Sequence, residues 1–510
     1  MRMFDMFLAC VFGVALTHAQ DFVTYEEFGA VGDGKADDQA AIVAAHAAAN
    51  EKGLPVKAGD GKTYYIGKGA KAAAVQTDVD FGTATIVIDD REVPLDKRTT
   101  PVFRILPAAR PVPVKGVATL AKGQANIGVA LPGPCLVEAV DNTVRQYIRY
   151  GLNQNNGSPK KEVFLADATG AVDPHTPIVW DYATVTRMTA YPLDTKTLTV
   201  KGGRFTTIAN QAESKYTYYG RGFSVERSNV RIEGLRHDIT GEGDHGAPYG
   251  GFVSVSFCAN VMVSNCIFTA HKTYRTIGAA GKPVSMGSYD LSANNSVNIS
   301  YVNCRQTTDI NDGRYWGLLG SNYCKNMLYD GCVFSRFDAH MGVANATIRN
   351  SDLGYMGINA IGFGTFLVEN STVRCGSFFN LRGDYGSTWR GEFIVRNCTF
   401  VPRNGKTPVV STLVYGSSTD WHDFGYECHM PRKIVFDGLK IDDSNHPEQY
   451  DGPFVFGQFS TKNVSPGYVE RFPYHVTEEV VLRNVTTASG KPVALSPNKH
   501  MFRNVKVVRE

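Results

Sequence analysis

The sequence predicts an all-β solenoid: a parallel β-helix with an N-terminal capping α-helix and an antiparallel β insertion. Three observations predict it. From Val261 to Val505 the chain repeats one phrase, alternating apolar and polar residues closed by Asn, Asp or Gly and then a small residue. It reads VMVSNCIF at 261, ISYVNC at 299, MLYDGCVF at 327, ATIRNSDL at 346, FLVENSTV at 366, FIVRNCTF at 393, IVFDGLK at 434 and VVLRNV at 480. Near the N-terminus lies one helix-like stretch, and between it and the repeats comes a run of strand-like segments without the phrase.

In chain order, residues 1–19 read as a signal peptide. Arg2 precedes an apolar run from Met6 to Leu16, and Thr17-His18-Ala19 supplies a peptidase site. The run is too short for a permanent membrane anchor, so a secreted or periplasmic protein is expected. Cys10 suggests a lipoprotein, but Phe7-Leu8-Ala9 fits that pattern poorly.

Residues 20–104 are expected to form the N-terminal cap and first coils. Within Phe22 to Gly53 the chain turns at Gly32-Asp33-Gly34, and Asp37 or Asp38 can cap a helix through Ala49 that Gly53 closes. Its stripe of Ala41, Ile42, Ala45 and Ala49 suits the open end of a solenoid, which needs a cap. Residues 105–205 form the predicted insertion, with IGVALPG at 127, CLVEAV at 135, EVFLAD at 162 and TLTVKGG at 197 as its strands. It either shapes a groove wall, binds glycan or is purely structural.

Residues 206–510 form the β-helix proper. Cys304, Cys332, Ser351, Ser371 and Cys398 hold one place in the phrase, with steps of 28, 19, 20 and 27 residues. A minimum of about twenty with insertions of variable size marks a solenoid decorated by loops. Asn265, Asn303, Asn350, Asn370 and Asn397 fit the left-handed bend between strands, and their side chains are expected to hydrogen-bond from coil to coil. The residue after each bend points inward, so Cys266, Cys304, Cys332 and Cys398 read as a buried stack of thiols. Few or no disulfides are therefore expected, and no zinc site, since no Cys-x-x-Cys spacing occurs.

Composition agrees: 43% hydrophobic residues, 20% charged residues and 51 glycines in 510 positions suit a long core with many tight turns. A net charge of +3 argues against a nucleic-acid partner held by bulk basicity. A monomer is expected.

The FGAVGDGKADDQAAI stretch, followed by GKTYYI at 61 and TDVDFGTATIVIDD at 77, resembles the head of the pectate-lyase-like right-handed parallel β-helix superfamily. That superfamily includes polysaccharide lyases, galacturonan hydrolases and phage tailspikes. With the DDQAAIVAAHAAAN helix and the long interruption after it, the chain also resembles exported Bacteroidetes polysaccharide lyases, among which chondroitin and hyaluronan lyases occur. The resemblance implies a right-handed helix, an acidic polysaccharide as partner and a preference for glycosaminoglycans.

Candidate site residues follow from alternation on the groove strands. With Met286, Trp316, Met341 and Leu381 inward, Ser285, Tyr315, His340, Asn380 and Arg382 point outward, with Asn359 or Ala360 between. Coils stack about 4.8 Å apart, so Tyr315 and His340 fall one coil apart and Asn380 and Arg382 two coils further. Rim loops add His271, Lys272, Tyr274, Arg336, Tyr355, Trp389 and Arg390 as substrate-binding candidates. Elimination at a uronate needs a group that neutralises the carboxylate, a base for the C5 proton and an acid for the leaving oxygen. Arg382 and Asn380 suit the first role; His340 and Tyr315 suit the other two, either taking either part.

Two other readings stand beside this one. A hydrolase needs two carboxylates, and Asp309, Asp312, Asp338 and Asp384 are the candidates. The Asp pair, Gly-His-Gly and Arg-x-Lys of galacturonan hydrolases are missing; Asp244-His245-Gly246 is the nearest fragment. A non-catalytic glycan-binding stalk would spread its aromatics more evenly. No cofactor is expected, since the DINDG loop at 309 is short of calcium ligands, although Lys272 would fit a calcium-assisted mechanism.

Overall fold

Val79–Asp89 (β1) and Leu198–Ile208 (β6) pair in parallel although more than a hundred residues separate them. That pairing sets the architecture of the computed structural model, which describes residues 21–510 apart from 70, 247, 417–423, 458 and 460–471. Among the described residues 32 strands join into one sheet, wound as a right-handed parallel β-helix. The signal segment lies outside the described residues. No described helix is long and apolar enough to cross a membrane.

The cap is α1, Gln39–Lys52. Asp37 Oδ1 accepts the Gln39 N–H at 3.1 Å, whereas Asp38, at the cap position, turns its carboxylate to the Val31 N–H at 2.7 Å and pins the GAVG turn instead. Gly53 closes the helix at φ 68°. Ala41, Ile42, Ala45 and Ala49 join the β-helix core beside Val56 and Val75. His46 is buried with them, bonded to the Tyr25 hydroxyl at 3.1 Å.

The insertion is an antiparallel sheet of β2 (Val112–Pro113), β3 (Cys135–Gln146), β4 (Ser158–Ala166) and β5 (Arg187–Pro192), in the order β4-β3-β5-β2. Two of its expected strands are corrected. IGVALPG makes only isolated bridges nearby, since Gly128, Pro132 and Gly133 interrupt it. TLTVKGG belongs to β6 and therefore to the coils. One face of the sheet buries Val137, Ala139 and Phe164; the other sets Leu136 and Val163 against Ala259 and Val297 of the β-helix. A fully buried ion pair, Lys325 Nζ to Glu162 Oε2 at 2.8 Å, fastens the two parts. Glu162 also accepts the Val179 and Trp180 N–H groups, and Lys325 donates to the Pro177 carbonyl, so both ions are hydrogen-bonded.

The inward column of small residues is present as expected. Cys266, Cys304, Cys332, Ser351, Ser371 and Cys398 are buried, and hydroxyls replace thiols without a break: the Cys332 N–H meets Ser351 Oγ and the Ser351 N–H meets Ser371 Oγ. Cys135, Cys258, Cys266, Cys304, Cys324, Cys332, Cys375 and Cys398 are free thiols. Asn265, Asn303, Asn350, Asn370 and Asn397 all adopt the left-handed conformation, φ 49–54°, which Asn tolerates. Their side chains do not form the expected ladder; Asn350 donates instead to Asp330 Oδ1 at 2.8 Å, and Gly331 holds the bend between Asn303 and Asn350. The ladder lies at a second bend: the amides of Asn260, Asn298, Asn326 and Asn345 each donate to the Asn one coil back, starting at Asn229, over 2.9–3.1 Å.

Five successive strands carry the cleft, β7 (Tyr289–Asn294), β8 (Leu319–Asn322), β9 (Val333–Arg349), β10 (Asp352–Glu369) and β11 (Ser377–Asn380), and β12 (Ser411–Tyr415) stacks on the last of them. Their register aligns Asn294 with Asn322, and Asp338 with Asn359, Asn380 and Tyr415 in successive coils.

Candidate functional site

Two short amide columns end in the chemistry of the site. In the first, Asn359 donates to Asp338 Oδ1 at 3.1 Å and Asn380 donates to Asn359 Oδ1 at 2.8 Å. Asn380 Oδ1 then accepts the Arg382 N–H at 2.9 Å, holding Arg382 in a left-handed conformation, φ 52°, while Leu381 is buried in the core. In the second, Asn322 donates to Asn294 at 2.8 Å, which turns its oxygen toward His340 Nδ1, also at 2.8 Å. His340 must donate there, so its Nε2 keeps a lone pair. The Tyr385 hydroxyl stands 3.4 Å from that nitrogen. Burial, opposed by Asp338 and reinforced by Arg382, Arg336 and Arg149, pulls His340 down to about 4.

These residues face a cleft of about 570 Å³. Arg336 lies at its base, 1% exposed, with Nη2 on Asp338 and with Nε and Nη1 lacking any protein partner. Its guanidinium sits 5.2 Å from the Trp316 ring centre. Gly317 makes room for it, since a Cβ there would approach the Arg336 side chain to 2.6 Å. Arg382 forms a two-pronged pair with Asp384 at 2.9 and 2.7 Å, and Arg149 from the insertion reaches the same carboxylate at 2.7 Å. Burial works to raise Asp384, but Arg382 and Arg149 hold it below the usual carboxylate range. Tyr216, Tyr218, Tyr289 and Trp316 complete an aromatic wall. The described lining contains three arginines and no Asp or Glu.

Of the residues proposed from sequence, His340, Asn380, Arg382, Arg336, Tyr355 and Asn359 meet in this cleft, together with the outward Ser285. Six others do not line it. Tyr315 packs against the edge of the core and beside Arg314, and the adjacent Trp316 faces the cleft instead. Alternation fails there because both follow a loop rather than a strand. Met341, expected inward, packs outside with Tyr147, Tyr323 and Tyr385, because β9 shifts register between its pairings at Ala339 and Met341.

His271 is 1% exposed and bridges Asp290 at 3.3 Å and Glu242 at 3.5 Å. Burial would lower its pKa, but these two carboxylates outweigh burial and raise it to about 9. His237 shares Asp290 at 2.8 Å, so the group forms an internal clamp. Lys272 donates to the Glu242 and Gly243 carbonyls, and Tyr274 is buried. Trp389 is a core residue whose indole donates to the Gly364 carbonyl, and Arg390 lies over Trp180 of the insertion.

Sequence reasoning missed Arg149, Tyr289, Trp316, Asn294 and Asn322. Asn294 and Asn322 carry a findable signal, one register position in neighbouring coils. Arg149 carries none, since its loop is fixed only by the docked insertion. The candidate carboxylates are all engaged: Asp309 caps the Asn311 N–H and Asp312 binds Arg314, while Asp338 and Asp384 bind arginines of the cleft itself.

No family model matches the chain. A capsule KL64-specific depolymerase of Klebsiella phage P510 is 28% identical over 134 residues, which cover 22% of this chain and 13% of that protein. The chain therefore spans about an eighth of the curated relative it matches. Among solved structures, the tailspike gp61 of Pseudomonas phage phi297 matches 92% of this chain and 80% of its own, with TM-score 0.56 and 13% identity. The gp54 tailspike of Acinetobacter baumannii bacteriophage AP22, solved with a capsular saccharide, matches 95% and 79%, with TM-score 0.52 and 12% identity. At that identity the likeness establishes the parallel β-helix fold and nothing finer.

Proposed function

We propose that the protein is a polysaccharide-processing β-helix acting outside the cell, and that it cleaves a uronate-containing acidic polysaccharide by β-elimination. One observation carries the reading: a cleft with three arginines, a neutral histidine and no carboxylate in its described lining. Hydrolysis needs two acidic groups flanking the bond, whereas elimination needs positive charge, a base and an acid. The names of the capsule depolymerase and of the saccharide-bound tailspike support a polysaccharide as substrate. A glycosaminoglycan such as chondroitin sulfate, dermatan sulfate or hyaluronan stands first among candidates, on resemblance alone.

In this mechanism the two unpartnered nitrogens of Arg336 take the uronate carboxylate, with Arg382 adding field strength. His340 Nε2 removes the C5 proton, the electron pair forms the C4=C5 bond, and the C4–O4 bond breaks. Tyr289 protonates the departing oxygen. Burial raises the Tyr289 pKa, so this phenol carries its proton at neutral pH. The pair is thus His340 and Tyr289 rather than His340 and Tyr315.

The test is ultraviolet absorbance during incubation with glycosaminoglycans, pectin, alginate and bacterial capsular polysaccharides, with reducing ends followed in parallel. Absorbance from an unsaturated uronate that rises with wild type and falls about 10²- to 10⁴-fold in His340→Ala is expected. New reducing ends without absorbance would mean hydrolysis, and binding without either signal would leave a glycan-binding protein.

A further inference from the structure

Away from the cleft, Cys428–His429 (β13) and Tyr474–His475 (β14) form a two-stranded parallel ladder with His429 opposite His475. The two imidazoles stack 4.4 Å apart at 9°. Both Nε2 atoms converge on Glu427 Oε1, His475 at 2.8 Å and His429 at 3.2 Å, and the three ligand atoms lie within 4.8 Å of one another. We propose that Glu427, His429 and His475 bind one divalent transition-metal ion of the zinc type.

Two imidazole nitrogens and one carboxylate oxygen are a zinc donor set, with bonds of about 2.0–2.2 Å. They are not the all-oxygen set of calcium or magnesium. Ligand atoms on a tetrahedral ion with such bonds stand about 3.4 Å apart, close to the spacing already present. The ladder fixes the two histidines before any ion arrives. Glu427 and His475 are about half exposed, which leaves the fourth position to water.

The site acts as a clip. It joins two excursions that both grip the loop after Arg382: the His429 N–H donates to Thr388 Oγ1 at 3.0 Å, the Tyr426 hydroxyl to the Tyr385 carbonyl at 2.5 Å, and the Tyr474 hydroxyl to the Ser387 carbonyl at 3.2 Å. A bound ion therefore steadies the loop that carries Asp384 and Tyr385, without touching substrate.

The experiment uses the full chain, free of any histidine tag and stripped with chelator. Calorimetric titration and elemental analysis should find one equivalent of Zn²⁺, with Tm raised by a few degrees and no effect of Ca²⁺ or Mg²⁺. His475→Ala and Glu427→Gln should each weaken that binding at least tenfold. Co²⁺ should give visible ligand-field bands without a thiolate charge-transfer band, separating this site from the neighbouring Cys428. Absence of saturable Zn²⁺ binding, unchanged binding in both variants, or a thiolate band would each overturn the proposal.

Discussion

Arg336 is a buried cation with one nitrogen neutralised and two left open, a costly arrangement unless something anionic completes it. Arg336→Lys keeps the charge but loses the planar fork. Its expected effect is a rise in KM for an acidic polymer of tenfold or more, with the fold unchanged by circular dichroism. His340 makes a pH prediction. As a base it must be unprotonated, so kcat/KM should stay level from neutrality downward and fall as pH drops through about 4. The same residue destabilises the fold in acid. Its folded pKa lies below the unfolded value of about 6.5, so the unfolded chain binds more protons between those values and stability is lost as pH falls from about 6.5 to about 4. His340 and Asn380 were legible because each lies in a strand, and Arg382 because it directly follows one. Tyr315 was misplaced because the DINDG loop before it breaks that count.

At the level of the element, the amide columns turn a coil stack into a positioning device. Asn380→Ala would leave the Arg382 N–H and the Asn359 oxygen without partners. A loss of about 1–3 kcal/mol is expected from an unsatisfied buried group, read by urea unfolding, together with a drop in kcat as Arg382 leaves its left-handed position. The His237–Asp290–His271–Glu242 clamp acts at the opposite end of the pH scale. His271 is raised to about 9, so its contribution is complete below about 6.5 and disappears as pH rises through about 9. In His271→Gln the alkaline fall in Tm should flatten. The bends themselves were legible, since Asn at a left-handed position leaves a mark in sequence. Which bend carries the side-chain ladder was not, because Asn takes the left-handed conformation at both bends and the repeated phrase marks only one of them.

Across the whole molecule, Lys325 and Glu162 make the insertion and the coils one unit. Lys325→Met alone strands a buried carboxylate and should cost about 3–5 kcal/mol, measured by denaturant unfolding. Adding Glu162→Gln, which still accepts the Val179 and Trp180 N–H groups, should recover part of the loss. None of this was visible in sequence: the insertion could be recognised by its strands, but its docking depends on a lysine that reads as an ordinary polar residue between two coils. Arg149 reaches the cleft only through that docking.

The column running through Cys304, Cys332, Ser351, Ser371 and Cys398 has one more consequence. Thiol and hydroxyl are near-equal in size, so any coil offering either can sit on any other. Removing a whole turn would therefore keep this column continuous. Excising residues 351–370, the twenty between two serines of that column, would rejoin like to like. It would also draw Asn380 and Arg382 one storey closer to Asp338 and His340. The reach of the cleft along the β-helix axis is a countable variable, set by how many turns separate its two ends.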